Sequence, residues 1–299
     1  MKKDVLLCCN LCPRECGVNR RCGETGFCGA SDKVKIARSD LHFWEEPCIS
    51  GEGGSGTVFF SHCTLKCVYC QNYDISTKNQ GRIVTEGQLA DCFLDLQEKG
   101  ALNINLVTPT HYIPQIIEAL KIAKKKGLTL PVLYNTSGYE STKTLELLRG
   151  YVDIFLPDFK YFSSEYAKKY SVAEDYPDIC KKAIAKMFEL VGKCRFDENG
   201  IIKKGVIVRH LMLPHQEEDS KKILEYLYKN YDDDIYISIM SQYTPLSTLP
   251  KEFPELNTTI DMTVYNRVLD FAVDLGVENA FIQEEEAASE SFIPEFWDE

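Results

Sequence analysis

Three closely spaced cysteines are the residues of this sequence best suited to chemistry. Cys63, Cys67 and Cys70 follow the pattern Cys-x3-Cys-x2-Cys directly after an apolar run at 57–61. A loop of this size can turn three thiolates toward one centre. Four thiolates saturate a [4Fe–4S] cluster, so three leave one iron with an open position at which a substrate can bind. The spacing therefore predicts a reactive cluster, with three buried thiols or a zinc site completed by a residue such as His62 as the alternatives.

A second group of cysteines lies nearer the N-terminus. Ten of the 13 cysteines fall before residue 71, and four of them follow the order Cys9-x2-Cys12-x3-Cys16, then Cys28. Four thiolates suit either zinc or a second iron–sulfur cluster, and the spacing does not separate the two. A Gly-rich segment of ~30 residues has little core of its own, so a metal is favoured over a loop of reduced thiols.

Composition limits the class of protein. Hydrophobic residues make up 44% of the 299 residues and charged residues 26%, as in a soluble globular protein. A net charge of −11 argues against a nucleic-acid partner, which needs concentrated Lys and Arg. No window approaches ~20 apolar residues, so no membrane span is expected. The apolar run at the N-terminus is too short for a signal peptide, and together with reduced thiols this predicts a cytoplasmic protein.

Continuous apolar runs alternate with amphipathic segments through the middle of the chain. Such runs are typical of buried parallel strands, and apolar spacings of three and four residues are typical of helices. The predicted strands are 57–61, 104–108, 132–136, 152–156, 206–213, 235–240 and 280–282. The predicted helices are 85–99, 113–126, 142–149, 179–190, 217–228 and 263–275. This alternation predicts a parallel α/β sheet or barrel, in which the carboxyl ends of the strands carry the chemistry.

Three regions follow from these patterns. Residues 1–55 form a Cys- and Gly-rich N-terminal extension that contains the candidate second metal site. Residues 56–285 hold the strand–helix alternation, and residues 286–299 form an acidic C-terminal tail. The reactive cluster is therefore expected at the start of the α/β region, directly after its first strand.

The cysteine triplet, with the aromatic Tyr69 before its last cysteine, resembles the cluster motif of the radical SAM superfamily. The resemblance implies a partial (β/α)6 barrel with the cluster loop after its first strand. It also implies that the open iron binds S-adenosylmethionine (SAM), and that an electron from a donor such as flavodoxin or ferredoxin cleaves SAM to methionine and a 5′-deoxyadenosyl radical. That radical abstracts a hydrogen atom from a substrate. Tyr69 is expected to help hold the adenine.

Further segments narrow the resemblance to a branch related to pyruvate formate-lyase activating enzyme. The segment DIFLPDFKY at 153–161 is similar to the fourth-strand segment of glycyl-radical activating enzymes, with Asp158 and Lys160 as the matching pair. The segment VRHLMLP at 208–214 is similar to their fifth-strand segment and begins with Val208-Arg209. The N-terminal cysteine pattern also looks like that branch.

Polar residues near strand ends are the expected SAM contacts. Asp158 and Lys160 lie two residues apart, so on a strand they share a face and can pair beside a ribose or carboxylate; a solvated ion pair is the alternative. Asn135 ends the third predicted strand and can reach the same ligand. Arg209 needs a partner if buried, either the SAM carboxylate or a core acid. The family places an acid after its second strand to contact the SAM amino group; this chain has VTPTHY at 107–112, where Thr108 is a candidate.

The leading hypothesis is therefore a radical SAM enzyme that activates a glycyl-radical protein or acts on a peptide or small molecule. An iron–sulfur protein for electron transfer or sensing, without SAM chemistry, is the alternative from another class. A zinc-stapled scaffold that binds a partner is a third. No catalytic acid, base or radical relay is assigned, because lone histidines such as His111 and His210 are more often structural.

Overall fold

A mixed sheet organises the part of the chain that the computed structural model describes, which is residues 4–246, 249–283 and Phe296. Within these residues the sheet has ten strands. They are β1 (Val34–His42), β2 (Ser55–Phe60), β3 (Arg82–Val84), β4 (Ile104–Val107), β5 (Val132–Thr136), β6 (Ile154–Pro157), β7 (Arg195–Phe196), β8 (Ile202–Leu211), β9 (Tyr236–Met240) and β10 (Ala280–Ile282). Their order is β10-β9-β8-β6-β5-β4-β2-β1-β3, with β7 paired to β8.

Helices connect these strands. In the same described residues they are α1 (Pro47–Ser50), α2 (Tyr73–Ser76), α3 (Glu86–Glu98), α4 (Ile113–Lys125), α5 (Thr142–Glu146), α6 (Ser164–Ser171), α7 (Tyr176–Val191), α8 (Glu217–Tyr231) and α9 (Met262–Leu275). Helix α3 begins with a capping box, in which Thr85 and Gln88 satisfy each other's main-chain N–H groups. None of the described helices is both long and apolar enough to cross a bilayer.

The parallel part of the sheet matches the sequence prediction. Strands β2, β4, β5, β6, β8, β9 and β10 pair in parallel, and they correspond to the seven predicted apolar runs. Every residue of β2, β4 and β6 is buried, which explains why these strands read as continuous apolar runs. The sheet path ends at β10 and β3 rather than closing, so the predicted partial barrel with a Cys-rich N-terminal extension is confirmed.

The N-terminal extension adds an antiparallel edge that the apolar pattern did not predict. Strand β1 pairs with β2 from Ile36 opposite Phe60 to His42 opposite Ser55, and β3 pairs with the start of β1. Most of β1 is only half-buried and polar, so it lacks the apolar run that revealed the other strands. Its end delivers the following residues to the carboxyl edge of the sheet. The predicted acidic tail, apart from Phe296, lies outside the described residues.

One glycine at the end of β5 is expected to be sensitive to substitution. Gly138 has φ of +76°, and a Cβ there would overlap the main-chain oxygen of Asp158 and lie 2.8 Å from Cys180 Sγ. We expect Gly138→Ala to lower the free energy of unfolding by about 2 kcal/mol or more, combining left-handed strain with overlap. Gly150→Ala is the matched control, because Gly150 has φ of +78° and nothing within 4 Å. Anaerobic denaturant titration measures both, and equal losses would contradict the overlap.

Candidate active site

A cavity of about 370 Å³ lies at the carboxyl ends of the parallel strands. The loop after β2 and the ends of β4, β5, β6, β8, β9 and β10 all contribute to its wall. It contains all the residues predicted for the cluster and for SAM: Cys63, Cys67, Tyr69, Cys70, Thr108, Asn135, Asp158, Lys160 and Arg209. The parallel sheet thus brings together residues separated by more than 140 positions in the chain. This is the position at which α/β barrels carry their chemistry.

The cysteine loop is shaped by two residues in the left-handed region. His62 has φ of 77° and Lys66 φ of 54°, and both are uncommon for residues with a Cβ. The reversals return the chain so that the three cysteine side chains face the cavity. Each sulfur accepts a hydrogen bond, and the donors are the Leu65 amide to Cys63 at 3.4 Å, the Ser171 hydroxyl to Cys67 at 3.0 Å and the Ser76 hydroxyl to Cys70 at 3.5 Å.

These three sulfurs suit a metal centre better than free thiols. Burial raises the pKa of the Cys63 thiol and raises that of Cys70 to about 12. A thiol has to lose its proton to bind iron, and the ammonium of Lys160 opposes the effect of burial by lowering the pKa of both thiols. Three soft thiolates on one loop, with hydrogen-bond donors already directed at the sulfurs, fit a [4Fe–4S] cluster with one free iron position.

Asp158 and Lys160 form an ion pair in the cavity wall. The Lys160 Nζ lies 2.6 Å from Asp158 Oδ2, and the two side chains are only 16% and 23% exposed. Burial disfavours the charged amine, but the negative charges of Asp158 and Cys67 hold the pKa of Lys160 above its ordinary value. Lys160 therefore stays protonated at neutral pH. The alternative of a freely solvated pair in a loop does not describe this geometry.

Arg209 is paired with acids of the chain itself. Its guanidinium donates to Glu46 Oε1 at 2.8 Å and to both Glu46 Oε2 and Glu45 Oε2. Burial raises the pKa of the Glu46 carboxyl, but Arg209 outweighs it and lowers that pKa below its ordinary value of 4.5. Glu45 is further held by Asn105, whose Nδ2 donates to Glu45 Oε1 at 2.7 Å. Of the two partners expected for Arg209, the structure supplies the core acids.

The remaining expected SAM contacts lie around the same cavity. Tyr69 is buried in the cavity wall, and its hydroxyl lies 2.7 Å from that of Tyr161. Thr108 has φ of 56°, an unusual conformation for a β-branched residue, and its N–H donates to the Asn135 main-chain oxygen at 2.8 Å. Strained backbone of this kind is common where a surrounding structure holds a functional site.

Two histidines expected to be structural are buried and hydrogen-bonded through the ring, although His111 Nδ1 has no hydrogen-bond partner among the described residues. His111 Nε2 lies 2.7 Å from the Ser61 main-chain oxygen, and burial lowers its pKa to about 3. His210 lies 2.8 Å from the Phe159 oxygen and 2.9 Å from Ser220 Oγ, and burial lowers its pKa to about 4. Both therefore stay neutral at physiological pH.

The predicted N-terminal group lies outside the cavity. Cys9, Cys12 and Cys28 are buried and Cys16 is exposed. Their segment contacts the cluster loop, since the Arg14 Nε donates to the Thr64 main-chain oxygen at 3.1 Å. The structure thus places the two cysteine groups on neighbouring segments.

Several residues of the cavity escaped the sequence analysis. The N-terminal extension contributes His42, Trp44, Glu45 and Glu46, strand β9 contributes Ser238 and Met240, and Gln283 directly follows β10. Ser171 is also new, because only folding brings α6 to Cys67. The adjacent acids Glu45 and Glu46 are visible in the sequence, but nothing near them in the sequence indicates that they pair with Arg209. Two adjacent carboxylates in a sequence are usually solvent-exposed.

The Arg209 ion pair makes a measurable contribution to stability. We expect Arg209→Met to lower the free energy of unfolding by about 3–5 kcal/mol at neutral pH, because it leaves two buried carboxylates without a cation. In the unmodified protein the pair contributes above pH 4.5 and is lost as pH falls through the lowered pKa of Glu46, so the difference between the two proteins shrinks below pH 4.5.

Urea titration between pH 3.5 and 8 measures this difference. Arg149→Met is the control, because Arg149 pairs with Glu146 at the surface and its side chain is 50% exposed. That loss should stay below about 1 kcal/mol. Similar losses for the two variants would contradict a special role for the buried pair.

Comparison with known proteins identifies the family. The family model of the radical SAM superfamily matches residues 57–227, more than half of the chain. An uncharacterised protein of Methanocaldococcus jannaschii is 29% identical over 282 residues, which cover 90% of this chain and 75% of that protein. The crystal structure of Streptococcus suis SuiB bound to the precursor peptide SuiA superposes with a TM-score of 0.52 at 13% identity, over 75% of this chain and 47% of SuiB.

This chain therefore spans about half the length of SuiB, and at such low identity the likeness concerns the fold alone. A domain of pyruvate-formate lyase-activating enzyme from Bacteroides vulgatus is more distant, with a TM-score of 0.41 at 15% identity over 58% of this chain and 92% of that domain. The extent of the family-model match is decisive. The chain belongs to the radical SAM superfamily, and with that family it uses a [4Fe–4S] cluster and SAM.

Proposed function

We propose that this radical SAM enzyme abstracts a hydrogen atom from a glycine of a protein or peptide. The observation that carries the proposal is a cavity that joins three cysteines to charged and polar strand ends. When held by Cys63, Cys67 and Cys70, the cluster would supply one electron to cleave SAM into methionine and a 5′-deoxyadenosyl radical, which would take the substrate hydrogen to give 5′-deoxyadenosine. Everything else in the reaction is binding, orientation and exclusion of water by the chain.

Each site residue that the sequence predicted has a proposed role in binding the cluster or SAM, or in positioning these groups. The cluster ligands are Cys63, Cys67 and Cys70. Tyr69 borders the adenine, and the pair Asp158–Lys160 binds the ribose or the carboxylate, since both groups reach the cavity and are held 2.6 Å apart. Thr108 and Asn135 offer hydrogen-bonding groups at neighbouring strand ends. Arg209 is a positioning residue, because its guanidinium is engaged by Glu45 and Glu46.

The charge balance of the cavity suits SAM. Three carboxylates (Glu45, Glu46 and Asp158) line it against two cations (Lys160 and Arg209). SAM has a sulfonium, an ammonium and one carboxylate, so it is a net cation that an excess of carboxylate attracts. The acid that the family places after its second strand is absent from 107–112. We assign its task to Glu45, which reaches the cavity from the segment after β1, because a carboxylate keeps acceptor sites beside its bonds to Arg209 and Asn105.

A peptide substrate is supported by the apolar side of the cavity. Phe59 lines the wall, and the ring of Phe296 packs edge-on against it at 5.5 Å between centroids. Trp44, 62% exposed, also borders the cavity. SuiB, which shares the fold, was crystallised with a precursor peptide. The resemblance of 153–161 and 208–214 to glycyl-radical activating enzymes points to glycine as the position of attack.

The proposal also includes a partner and a compartment. The family chemistry requires a one-electron donor, for which a flavodoxin or ferredoxin is suited, and the many reduced thiols suit the cytoplasm. Formation of 5′-deoxyadenosine distinguishes this enzyme from the alternative, an electron-transfer or sensing protein that does not cleave SAM.

The role of Glu45 is tested by a charge-neutral replacement. We expect Glu45→Gln to weaken SAM binding about tenfold, or ~1.4 kcal/mol, because it removes one negative charge beside the ligand. Folding should survive, since Glu46 still pairs with Arg209. Glu52→Gln, at an exposed position, is the control and should leave affinity unchanged. Equilibrium dialysis of labelled SAM under anaerobic conditions gives the dissociation constants; an unchanged value for Glu45→Gln contradicts the assignment.

The function itself is tested with the reconstituted enzyme, dithionite and SAM under anaerobic conditions. We expect methionine and 5′-deoxyadenosine in equal amounts. The substrate is a fraction of soluble proteins from cells of the source organism grown on glycine deuterated at Cα. With this fraction, we expect deuterium to pass into 5′-deoxyadenosine. We also expect a glycyl-radical signal in electron paramagnetic resonance (EPR). No 5′-deoxyadenosine from a protein with a verified four-iron cluster would support the electron-transfer alternative. Deuterium transfer from the low-molecular-weight fraction alone would overturn the proposed substrate class.

A further inference from the structure

Four cysteines outside the cavity lie near one another. The Cys16 Sγ lies 3.9 Å from the main-chain oxygen of Cys9 and fills the space beside Gly26, two residues before Cys28. The Glu15 amide donates to the main-chain oxygen of Cys12 at 3.1 Å, so a turn joins Cys12 to Cys16. The four cysteines are named the N-terminal quartet below.

One member of the quartet repeats a feature of the cluster loop. The Cys28 sulfur accepts a hydrogen bond at 3.4 Å from the Ala30 amide, two residues further along the chain, as Cys63 does from Leu65 at 3.4 Å. Amide donors directed at sulfur stabilise the thiolate over the thiol. Cys28 is therefore prepared for a metal in the same way as the first cysteine of the reactive cluster.

A buried cation faces the quartet. Arg20 is 1% exposed, and its guanidinium donates to the main-chain oxygens of Ser31 and His111, the latter at 2.6 Å. Its third partner is Cys9 Sγ at 4.0 Å. Carbonyl oxygens satisfy N–H groups but do not neutralise a buried charge, which requires an anion nearby. A four-thiolate metal centre at the quartet is anionic and supplies that charge.

Residues 4–33, which contain the quartet and precede β1, have little other structure to stabilise them. Their regular structure in the described residues consists of the short 3₁₀ turns Val5–Leu7 and Arg20–Cys22, and their own core cluster contains Leu6, Cys9 and Leu11. Gly26 leaves the space that Cys16 Sγ occupies, since a Cβ there would overlap this sulfur. Small domains with so little core usually require a metal or disulfides, and all the cysteines are free.

The quartet lies against the reactive cluster loop. Phe27, next to Cys28, packs between the Arg14 guanidinium at 3.9 Å and the Lys66 ammonium at 5.4 Å from the ring centroid. Arg14 also donates to the Thr64 main-chain oxygen, and Gly29 faces the ring of His62. Lys66, Thr64 and His62 all belong to the cluster loop or adjoin it. The folded extension therefore supports the loop that holds Cys63, Cys67 and Cys70.

We propose that Cys9, Cys12, Cys16 and Cys28 bind a second iron–sulfur cluster of the [4Fe–4S] type. A cluster fits better than zinc because it spreads its thiolates over four metal atoms. Across the described residues, no three His, Cys, Asp or Glu side chains close tightly enough around a single ion, and this holds for the reactive triplet as well as for the quartet.

Iron and acid-labile sulfide analysis of the full chain, purified and reconstituted anaerobically, tests this proposal. We expect about eight irons per chain in the unmodified protein, and about four in the variant with Cys63, Cys67 and Cys70 all replaced by alanine. That variant should still show the EPR signal of a reduced four-iron cluster. Cys12→Ala with Cys28→Ala should likewise halve the iron content. Cys22→Ala, an exposed cysteine of the same segment, is the control and should retain about eight.

The triple variant keeps the quartet intact, so it decides the question even if the quartet variants fail to fold. About four irons in the unmodified protein and none in the triple variant would overturn the proposal. One zinc per chain retained by the triple variant, without sulfide, would also overturn it. Neither result bears on SAM cleavage, which depends on the reactive triplet.

Discussion

Three buried sulfur atoms on one loop set the requirements that the surrounding structure meets. Thiolates buried away from water are unfavourable unless donors and a cation compensate them. The donors come from three places: the loop's own Leu65 amide, Ser76 of α2, and Ser171 at the end of α6. The cation is Lys160, just beyond β6. Strand order and helix position therefore matter here because they deliver hydrogen-bond donors and charge to sulfur. Hydrogen bonds of this kind help to set the potential of an iron–sulfur cluster.

The charged groups of the cavity are fixed before any ligand arrives. Lys160 is held by Asp158, and Arg209 by Glu45 and Glu46, which lie 164 and 163 residues earlier in the chain. Side chains held in this way lose little freedom when a ligand binds, so more of the contact energy remains for affinity and orientation. The arrangement also makes the segment after β1 a part of the cavity wall. The N-terminal extension, which is notable in the sequence for its cysteines, thus also supplies the carboxylates that hold Arg209 in the cavity wall.

The sequence was sufficient to predict the parallel strands, most of the helices and the cysteine loop, because each depends on a local pattern. Buried strands read as continuous apolar runs, and ligand spacing is written directly in residues 63–70. It was insufficient for β1, whose half-buried polar residues have no such pattern, and for Glu45 and Glu46. The partner of an acid is set by the folded sheet and not by its neighbours in sequence. Ser171 illustrates the same limit, since its hydroxyl meets Cys67 across 104 positions.

Residues that follow β1, β9 and β10 lie outside the shared family region but line the cavity. The shared family region begins at residue 57 and ends at residue 227. The cavity, however, takes Glu45 and Glu46 from before that region, and Met240 and Gln283 from after it. The boundary of the region that matches the superfamily model and the boundary of the working site therefore differ. A protein trimmed to the shared region would keep the cysteines and the pair Asp158–Lys160 but would expose Arg209 without its acids. Sequence changes in the flanking segments of related proteins can thus alter the shape of the cavity, while the cysteines and the Asp158–Lys160 pair of the shared region stay the same.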